Sequence, residues 1–191
     1  MADPQTFFGT RAAGWDERFP EDGPRYEQAV ADLGVRPGDV VLDAGCGTGR
    51  ALPVLRAAAG PEGTVVGVDV TPEMLSEARA RRRGELVRAD VLRLPLADSS
   101  VDALFAAGLV SHLPDPAAGL TELARVGRPG ARLALFHPIG RAALAARHGR
   151  TLEPDDVRSE GRIRAALEDS GWTVTAVDDA ADRWLVLAVR G

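Results

Sequence analysis

Short apolar runs alternate with stretches of helical pattern along most of this chain. Runs such as VVLDAG and TVVGVDV are nearly free of polar residues, which is typical of strands buried on both faces. The predicted strands are 40–45, 64–70, 85–90, 101–107 and 131–136, and the predicted helices are 49–59, a segment opening at Thr71-Pro72-Glu73, 116–126 and 157–169. We expect the Thr71 hydroxyl to cap its helix, with proline at the first position. Strands separated by helices in this way predict a parallel sheet covered on both faces.

The pattern changes at the C-terminal end. The runs GWTVTAVDD (171–179) and RWLVLAVRG (183–191) are separated by only Ala180-Ala181-Asp182. Because a parallel connection needs a crossover of a dozen or more residues, these two strands are expected to pair in antiparallel fashion. The whole pattern predicts an α/β fold, a Rossmann-like doubly wound seven-stranded sheet that is mostly parallel and has an antiparallel C-terminal strand.

Composition narrows the class of protein. The chain has 191 residues, 45% of them apolar and 27% charged, with a net charge of −5 and arginine at every basic position. An acidic balance disfavours nucleic acid as a partner. The single cysteine, Cys46, excludes an internal disulfide and a cysteine-rich zinc site. The apolar stretch between Asp102 and Asp115 has 12 residues, too short to span a bilayer, and no signal-peptide pattern opens the chain. We expect a cytoplasmic protein, a monomer or homodimer, with no membrane partner.

The first predicted strand leads into a glycine-rich turn. Its sequence is Asp43-Ala44-Gly45-Cys46-Gly47-Thr48-Gly49, and glycines at these positions allow a sharp turn and a close approach of ligand to backbone. Asp69 follows 20 residues after Gly49 at the end of the second strand, and Asp90 follows 21 residues later at the end of the third. Open α/β sheets bind ligands at these carboxyl ends, so the three carboxylates are expected at one site.

The identity of these residues indicates which nucleotide is bound. A dinucleotide fingerprint requires a third glycine where this chain has Arg50. Asp43 would also place a negative charge near a pyrophosphate, and like charges in a partly desolvated cleft are unfavourable. Three carboxylates suit a ligand with a cationic end, a ribose and an adenine amino group. S-adenosylmethionine has all three and carries no phosphate.

Several segments resemble one enzyme family. VLDAGCGTG (41–49) resembles motif I of the class I S-adenosylmethionine-dependent methyltransferases, and VVGVDVTPEML (65–75) is similar to the acidic-loop motif that follows it. RADVLRLPLADSSVDAL (88–104) resembles the segment around strands three and four. SHLPDP and TELARVGRPGARLALF (121–136) are similar to the subgroup that contains the ubiquinone and menaquinone biosynthesis methyltransferases.

The resemblance implies a cofactor, S-adenosyl-L-methionine, its product, S-adenosyl-L-homocysteine, and a set of contacts. The implied contacts are Asp43, Gly45, Cys46, Gly47 and Ala106 at the methionine part, Asp69 at the ribose, Val70 and Met74 along the adenosine, and Asp90 and Val91 at the adenine. Cys46 is expected to be a packed residue, since a catalytic cysteine needs a base partner. The three histidines lack ligand spacing, so no metal site is expected.

Two histidines are candidate catalytic residues. His112 follows the fourth predicted strand and His137 the fifth, which brings both to the ligand-binding edge. Two interpretations stay open: each is a general base for an acceptor that must lose a proton, or a hydrogen-bonded loop residue that shapes the pocket. His148 is expected at the surface. The basic run Arg79-Ala80-Arg81-Arg82-Arg83 is interpreted as the cationic end of a helix rather than a nucleic-acid patch.

The expected organisation is an N-terminal lid or cap segment, 1–26, followed by the methyltransferase domain, 27–191. Five of the nine aromatic residues lie in the first 26 positions, which fits a lid over a ligand and equally an N-terminal helix packed on the sheet. The expected function is transfer of a methyl group to a small-molecule acceptor by direct in-line displacement. One alternative is a cofactor-binding protein of the same fold without methyl transfer, a cyclase or a sensor. A nicotinamide oxidoreductase is a third possibility, which Arg50 and Asp43 disfavour.

Overall fold

The computed structural model describes residues 4–153 and 155–191, and the first three residues of the predicted lid lie outside the described residues. Seven strands form one sheet: β1 (Val40–Ala44), β2 (Thr64–Asp69), β3 (Glu85–Arg88), β4 (Val101–Ala107), β5 (Gly127–His137), β6 (Trp172–Ala180) and β7 (Arg183–Arg190). Their order in the sheet is β3-β2-β1-β4-β5-β7-β6. Neighbouring strands are parallel except that β7 is antiparallel to both β5 and β6. The predicted fold class is confirmed.

Seven helices accompany the sheet in the described part of the chain. They are α1 (Pro4–Gly9), α2 (Gly23–Leu33), α3 (Leu52–Ala59), α4 (Pro72–Ala80), α5 (Pro116–Val126), α6 (Arg141–Arg147) and α7 (Glu160–Asp169). Short 3-10 turns occupy Asp16–Arg18, Pro20–Asp22 and Val110–His112. No helix among the described residues combines the length and apolar character that crossing a membrane requires.

A hydrophobic core lies on each face of the sheet because successive side chains of a strand point to opposite faces. Along β4, Leu104 belongs to the core that contains Leu123 of α5 and Trp172 of β6. The next residue, Phe105, belongs to the opposite core, with Leu55 of α3. All of these side chains are almost completely buried. The continuous apolar strands that the sequence shows are therefore explained by burial on both faces.

The strand order creates a crevice at one edge of the sheet. From β1 the chain passes through β2 to β3 on one side, and β4 and β5 then continue on the other side of β1. In open α/β sheets, ligands bind at this switch point, beyond the carboxyl ends of the central strands. The segments that follow β1, β2, β4 and β5 all begin at this edge.

Some predicted boundaries are wrong for identifiable reasons. The third helix starts at Leu52 rather than at Gly49, because Gly49 has a φ of +77° and lies outside helical geometry. β5 begins at Gly127, four residues before the predicted strand, and a register irregularity between Val101 and Ala103 of β4 accommodates the extra residues. The helix α5 and the strand β4 lie at their predicted bounds.

Candidate functional site

The glycine-rich turn after β1 is tied to the end of β2. Gly45 N and Cys46 N both donate to the carbonyl oxygen of Val68, at 2.8 and 2.9 Å. Gly45, Gly47 and Gly49 have φ values of +69°, +55° and +77°, a left-handed region that favours glycine. The turn therefore requires glycine here, and neighbouring side chains pack closely against it, since an added β-carbon would lie 2.9 Å from Leu109 at Gly45 and 2.9 Å from Leu52 at Gly49.

Asp69, the last residue of β2, fixes this turn from the other side. Its Oδ2 accepts a hydrogen bond from Gly47 N at 2.8 Å, and its Oδ1 accepts one from Thr71 N at 2.8 Å. The predicted hydroxyl cap of α4 is wrong, because the Thr71 side chain makes no capping bond and the residue is held by its N–H instead. Each carboxylate oxygen still has a free lone pair, so Asp69 retains the capacity to accept bonds from a ribose.

Asp43 is a buried carboxylate at the end of β1. Only 1% of the residue is exposed, and neither carboxylate oxygen has a hydrogen-bond partner among the residues that the structure describes. Burial, and to a smaller extent the nearby charge of Asp69, raise the pKa of Asp43 to about 8. Buried carboxylates are normally paired, so this one fits a site that receives a cationic group. The ammonium of a bound amino-acid moiety is such a group.

Cys46 is packed and protonated. The residue is 8% exposed, and burial together with the charges of Asp43 and Asp69 raises the pKa of its thiol. A β-carbon added to Gly67 of β2 would lie 2.9 Å from the Cys46 sulfur, so the thiol fills the space above that glycine. A protonated thiol without a base is a poor nucleophile, and the chemistry of the site does not depend on it.

The other predicted contacts differ in exposure. Met74 is buried, and its sulfur lies 3.9 Å from the position of a β-carbon added to Gly47, which brings it against the glycine turn. Val91 and Ala106 are buried and Val70 is half-buried. Asp90 is exposed, and its Oδ1 accepts a bond from Leu92 N at 2.9 Å.

His137 lies at the end of β5 and is held by the next loop. Its Nδ1 is 2.8 Å from the Ile139 carbonyl oxygen and 3.2 Å from Ile139 N. We assign the proton to Nδ1, because the shorter contact then becomes a hydrogen bond and Nε2 keeps a free lone pair. Burial, together with smaller effects of the charges of Arg158 and His112, lowers the pKa of His137 to about 4, and the bond to Ile139 opposes this shift only in part. The imidazole is neutral at pH 7.

His112 closes the turn after β4 and meets the N-terminal segment. Its ring packs edge-on against Phe8, with ring centroids 4.9 Å apart, and Phe8 in turn contacts Trp15 at 5.7 Å. Exclusion of water from part of the ring and the charge of Arg158 lower the pKa of His112. His148, the third histidine, is exposed after α6.

Sequence reasoning missed the polar residues that attach the N-terminal segment to the glycine turn. Asp16 accepts a bond from the Thr48 hydroxyl at 2.6 Å and forms an ion pair with Arg83 at 2.5 Å. Arg50 donates to the carbonyl oxygen of Phe19 at 2.6 Å. The sequence shows the acidic pair Asp16-Glu17 among aromatic residues, which could have indicated a polar attachment. No local pattern, however, specifies partners so far along the chain.

The basic run has a role beyond the one that the sequence suggested, since Arg79 lies in the last turn of α4 but other arginines of the run reach further. Arg81 forms ion pairs with Asp16, Glu17 and Glu77, and Arg83 also pairs with Asp16. Interpreting the run only as the cationic end of α4 is incomplete, because two of its arginines hold the N-terminal segment. These pairs also leave less free positive charge for an anionic partner.

Other features of the surface do not compete with this site. A depression of about 230 Å³ lies toward the beginnings of β2 and β3, lined by Leu52, Pro53, Arg56, Val65, Arg82, Arg83 and Gly84. It lies at the opposite ends of these strands from Asp69. Within residues 4–153 and 155–191, no three histidine, cysteine or acidic side chains come together as metal ligands would.

Comparison with known proteins identifies relatives of this sequence. The profile of a family described as "Methyltransferase domain" matches residues 42–135, about half of the chain. The chain is 39% identical over 132 residues to methyltransferase GfsG of Streptomyces halstedii, in an alignment that covers 65% of this chain and 47% of that protein. It is 34% identical over 108 residues to a demethylmenaquinone methyltransferase of Staphylococcus aureus, covering 54% of this chain and 45% of the relative. The chain spans less than half the length of each of these two relatives.

Solved structures share the whole architecture. An S-adenosylmethionine-dependent methyltransferase from Aquifex aeolicus is 27% identical with a TM-score of 0.79, and the match covers 96% of this chain and 98% of that one. Magnesium protoporphyrin IX methyltransferase from Synechocystis, solved with bound S-adenosylmethionine, has the same fold with a TM-score of 0.65 at 22% identity, covering 88% of this chain and 79% of that one. By its sequence motifs, its strand order and its relatives, the chain belongs to the class I S-adenosylmethionine-dependent methyltransferases.

Proposed function

We propose that this chain transfers the methyl group of S-adenosylmethionine to a small-molecule acceptor at the carboxyl edge of β1, β2, β4 and β5. The observation that carries the proposal is the buried Asp43 carboxylate behind the glycine turn, without a partner among the described residues. A cationic amino-acid group bound there would favour the charged form of Asp43, which burial otherwise keeps protonated at neutral pH. A pyrophosphate in the same position would repel that charge.

Different residues of the site bind different parts of the cofactor. Asp43 receives the ammonium of the cofactor, and the backbone of Gly45, Cys46 and Gly47 lies along its methionine part. Asp69 accepts from the ribose hydroxyls while its bonds to Gly47 and Thr71 hold the turn in position. Preorganised acceptors of this kind avoid the cost of ordering the turn on binding.

The remaining predicted contacts are made to the adenosine and to the methionine part of the cofactor. Val70 and Met74 line the adenosine, Val91 packs beside the adenine, and Asp90 accepts from the adenine amino group. Asp90 keeps one carboxylate oxygen for this bond, because Oδ1 is the atom that accepts from Leu92. Ala106 of β4 lies toward the methionine moiety.

When bound, the cofactor supplies a methyl group on a sulfonium, which the nucleophilic atom of the acceptor takes by in-line displacement as the carbon–sulfur bond breaks and a neutral thioether forms. The protein aligns the acceptor with that bond and excludes water. Phe8 and His112, packed together, form one wall of the acceptor region. His137 Nε2, with its free lone pair, receives the proton of an acceptor that must lose one.

A small acceptor is supported by the relatives and by the length of the C-terminal region. Relatives named arsenite methyltransferase, from Halobacterium salinarum, and demethylmenaquinone methyltransferase are 35% and 34% identical over their matched segments, and both names specify small acceptors. The stretch from His137 to Ser170 has 34 residues, too few for a separate substrate domain beside α6 and α7.

Calorimetric titration of the purified chain with S-adenosylhomocysteine, and with NADH as the control ligand, tests the cofactor. We expect saturable binding of S-adenosylhomocysteine alone. Incubation with isotopically methyl-labelled S-adenosylmethionine and a panel of phenols, thiols, amines and quinols then tests transfer. Binding of NADH instead would overturn the proposal in favour of an oxidoreductase.

The alternative is a protein of the same fold that binds the cofactor without transferring its methyl group. The [4+2]-cyclase SpnF shares this fold with a TM-score of 0.67 at 20% identity, so the fold alone does not specify methyl transfer. Saturable cofactor binding with no S-adenosylhomocysteine formed across the acceptor panel or with cell extract would favour this alternative. The relatives that are named methyltransferases favour transfer.

A further inference from the structure

The glycine turn of the site is attached to the N-terminal segment through one buried hydroxyl. Thr48 lies between Gly47 and Gly49, is 2% exposed, and donates its hydroxyl to Asp16 Oδ1 at 2.6 Å. Asp16 belongs to the 3-10 turn Asp16–Arg18, far from Thr48 along the chain. This hydrogen bond therefore joins the glycine-rich turn to a segment that is distant in the sequence.

The second oxygen of Asp16 completes a closed set of bonds. Asp16 Oδ2 pairs with Arg83 Nη2 at 2.5 Å and with Arg81 Nε at 3.6 Å. Arg83 Nη1 donates to the Thr48 carbonyl oxygen at 2.9 Å, so Asp16, Thr48 and Arg83 contact one another pairwise. Partial burial alone would raise the pKa of Asp16, but the bonds from Thr48 and Arg83 outweigh it and lower the pKa. The carboxylate is thus charged at neutral pH.

The same N-terminal segment reaches the acceptor side of the site. Phe8 packs against His112, and Trp15 packs against both Phe8 and Phe19. Arg50, directly after the glycine turn, donates to the carbonyl oxygen of Phe19 at 2.6 Å. Residues 4–22 consequently run from the turn after β1 to the turn after β4, and they are attached to the glycine turn itself through Asp16 and to Arg50, directly after it, through Phe19.

We propose that Asp16 is a positioning residue of the cofactor site, which fixes the Thr48 turn and holds residues 4–22 over the bound cofactor. Its loss frees the Thr48 hydroxyl and releases the charge of Arg83, so the segment opens more often and the cofactor leaves faster. The proposal rests on the proposed function, because it assumes that the cofactor binds at the glycine turn.

The test compares dissociation of S-adenosylhomocysteine from the full chain and from Asp16→Asn, Asp16→Ala and Glu17→Gln, by stopped-flow displacement. Glu17 is the matched control, since it is the exposed neighbour of Asp16 and its change removes only one of the three ion pairs of Arg81, while the bonds of Asp16 to Thr48 and Arg83 remain. We expect dissociation to be about tenfold faster for Asp16→Ala, because a charge-assisted hydrogen bond is lost. Asp16→Asn is expected to lie between Asp16→Ala and the wild type, since its amide oxygen still accepts from Thr48, and Glu17→Gln to match the wild type.

A reciprocal variant and a measurement without ligand separate positioning from general stability. Thr48→Val removes the donor, and its effect on dissociation should be less than additive with that of Asp16→Ala, because both variants lose the same hydrogen bond. Hydrogen exchange of residues 4–22 without ligand should be faster in Asp16→Ala, while exchange in β4 and β5 stays unchanged. A uniform increase across the sheet would show that the variant only destabilises the fold and would overturn the proposal.

The outcomes distinguish this proposal from the proposed function. Failure of the wild-type chain to bind S-adenosylhomocysteine would overturn the proposed function and, with it, a cofactor role for Asp16. Normal wild-type binding with unchanged dissociation in both Asp16 variants would overturn the role of Asp16 alone. Faster dissociation in the Asp16 variants, without a change for Glu17→Gln, would support both.

Discussion

At the residue scale, Asp43 links the stability of the fold to pH. Burial and Asp69 raise its pKa from the ordinary 3.8 to about 8, so between these values the folded chain holds a proton that the unfolded chain has released. The free energy of unfolding therefore falls as pH rises through this window, by up to about 1.4 kcal/mol per pH unit from this group. Above about pH 8 both states have lost the proton and the slope disappears.

Asp43→Asn is predicted to remove this slope. Urea unfolding at about pH 5.5, 6.5 and 7.5 should show the stability of the ligand-free wild type falling relative to that of Asp43→Asn as pH rises. Asp169→Asn, a change at an exposed position of α7, is the control and should follow the wild type. Parallel pH profiles for Asp43→Asn and the wild type would show that Asp43 is already charged in the folded chain.

His137 is the residue for which a catalytic role is most directly testable. With a pKa of about 4 it is neutral across the working range, so methyl transfer should not slow between about pH 8 and pH 5.5 through its protonation. His137→Gln is predicted to lower kcat about 10²-fold or more on an acceptor that loses a proton, which is the usual contribution of a general base. His148→Gln should have no effect.

The affinity for S-adenosylhomocysteine provides the second readout for His137→Gln. It should stay near the wild-type value, because His137 is assigned to the acceptor and not to the cofactor. A variant with normal kcat would leave His137 as a loop residue that shapes the pocket. Loss of cofactor affinity together with kcat would indicate a disturbed site rather than a missing base.

At the scale of elements, local pattern was sufficient for most of the fold. β4 and α5 lie at the predicted bounds because an uninterrupted apolar run and a proline-led helix have strong local signals. The start of α3 was wrong because the left-handed Gly49 continues the ligand turn, a requirement that helix periodicity does not express. The sequence could predict that the two histidines and the acids Asp43 and Asp69 lie at one edge, because the strand ends of a parallel sheet meet there, and their contacts with a ligand stay predictions.

The N-terminal segment shows what the sequence could not supply. Asp16 and Thr48 are separated by 32 positions, and their hydrogen bond depends on where α1 and the 3-10 turns pack after the sheet has formed. The sequence shows the acidic residue Asp16 and the arginine run 79–83, but its charge pattern does not indicate that they pair. Such contacts depend on which residues the folded chain brings close together, and the pattern of a single sequence does not give those distances.

Packing between elements gives a prediction at Gly140, which precedes α6. A β-carbon there would lie 1.8 Å from the Ala180 carbonyl oxygen, where β6 ends, so the backbone of one element would have to move. Gly140→Ala should destabilise the fold by about 2–3 kcal/mol through overpacking. Gly161→Ala in α7 meets open space and should stabilise by about 0.5–1 kcal/mol through helix propensity. Equal midpoints of urea unfolding for the two variants would contradict the packing argument.

At the scale of the whole molecule, both hydrophobic cores share one sheet, and the candidate site is built on the ends of the same central strands. Leu42 and Val41 of β1 belong to opposite cores, and Asp43 follows them directly into the site. Opening the site completely therefore requires separation of the strands that hold both cores together. We expect a ligand at this site to be linked to unfolding of the entire chain rather than of one loop.

This linkage predicts the thermal response of the full chain. A ligand that binds only the folded state stabilises it by about 2.7 kcal/mol at a concentration of 100 times its Kd. For a domain of this size that corresponds to a rise in Tm of about 5–10 °C. In differential scanning calorimetry, S-adenosylhomocysteine should raise Tm progressively with the logarithm of its concentration, whereas NADH at the same concentrations should leave Tm unchanged. A calorimetrically measured Kd without the corresponding rise in Tm would mean that the ligand binds the unfolded chain as well, and so does not depend on the crevice between β1 and β4.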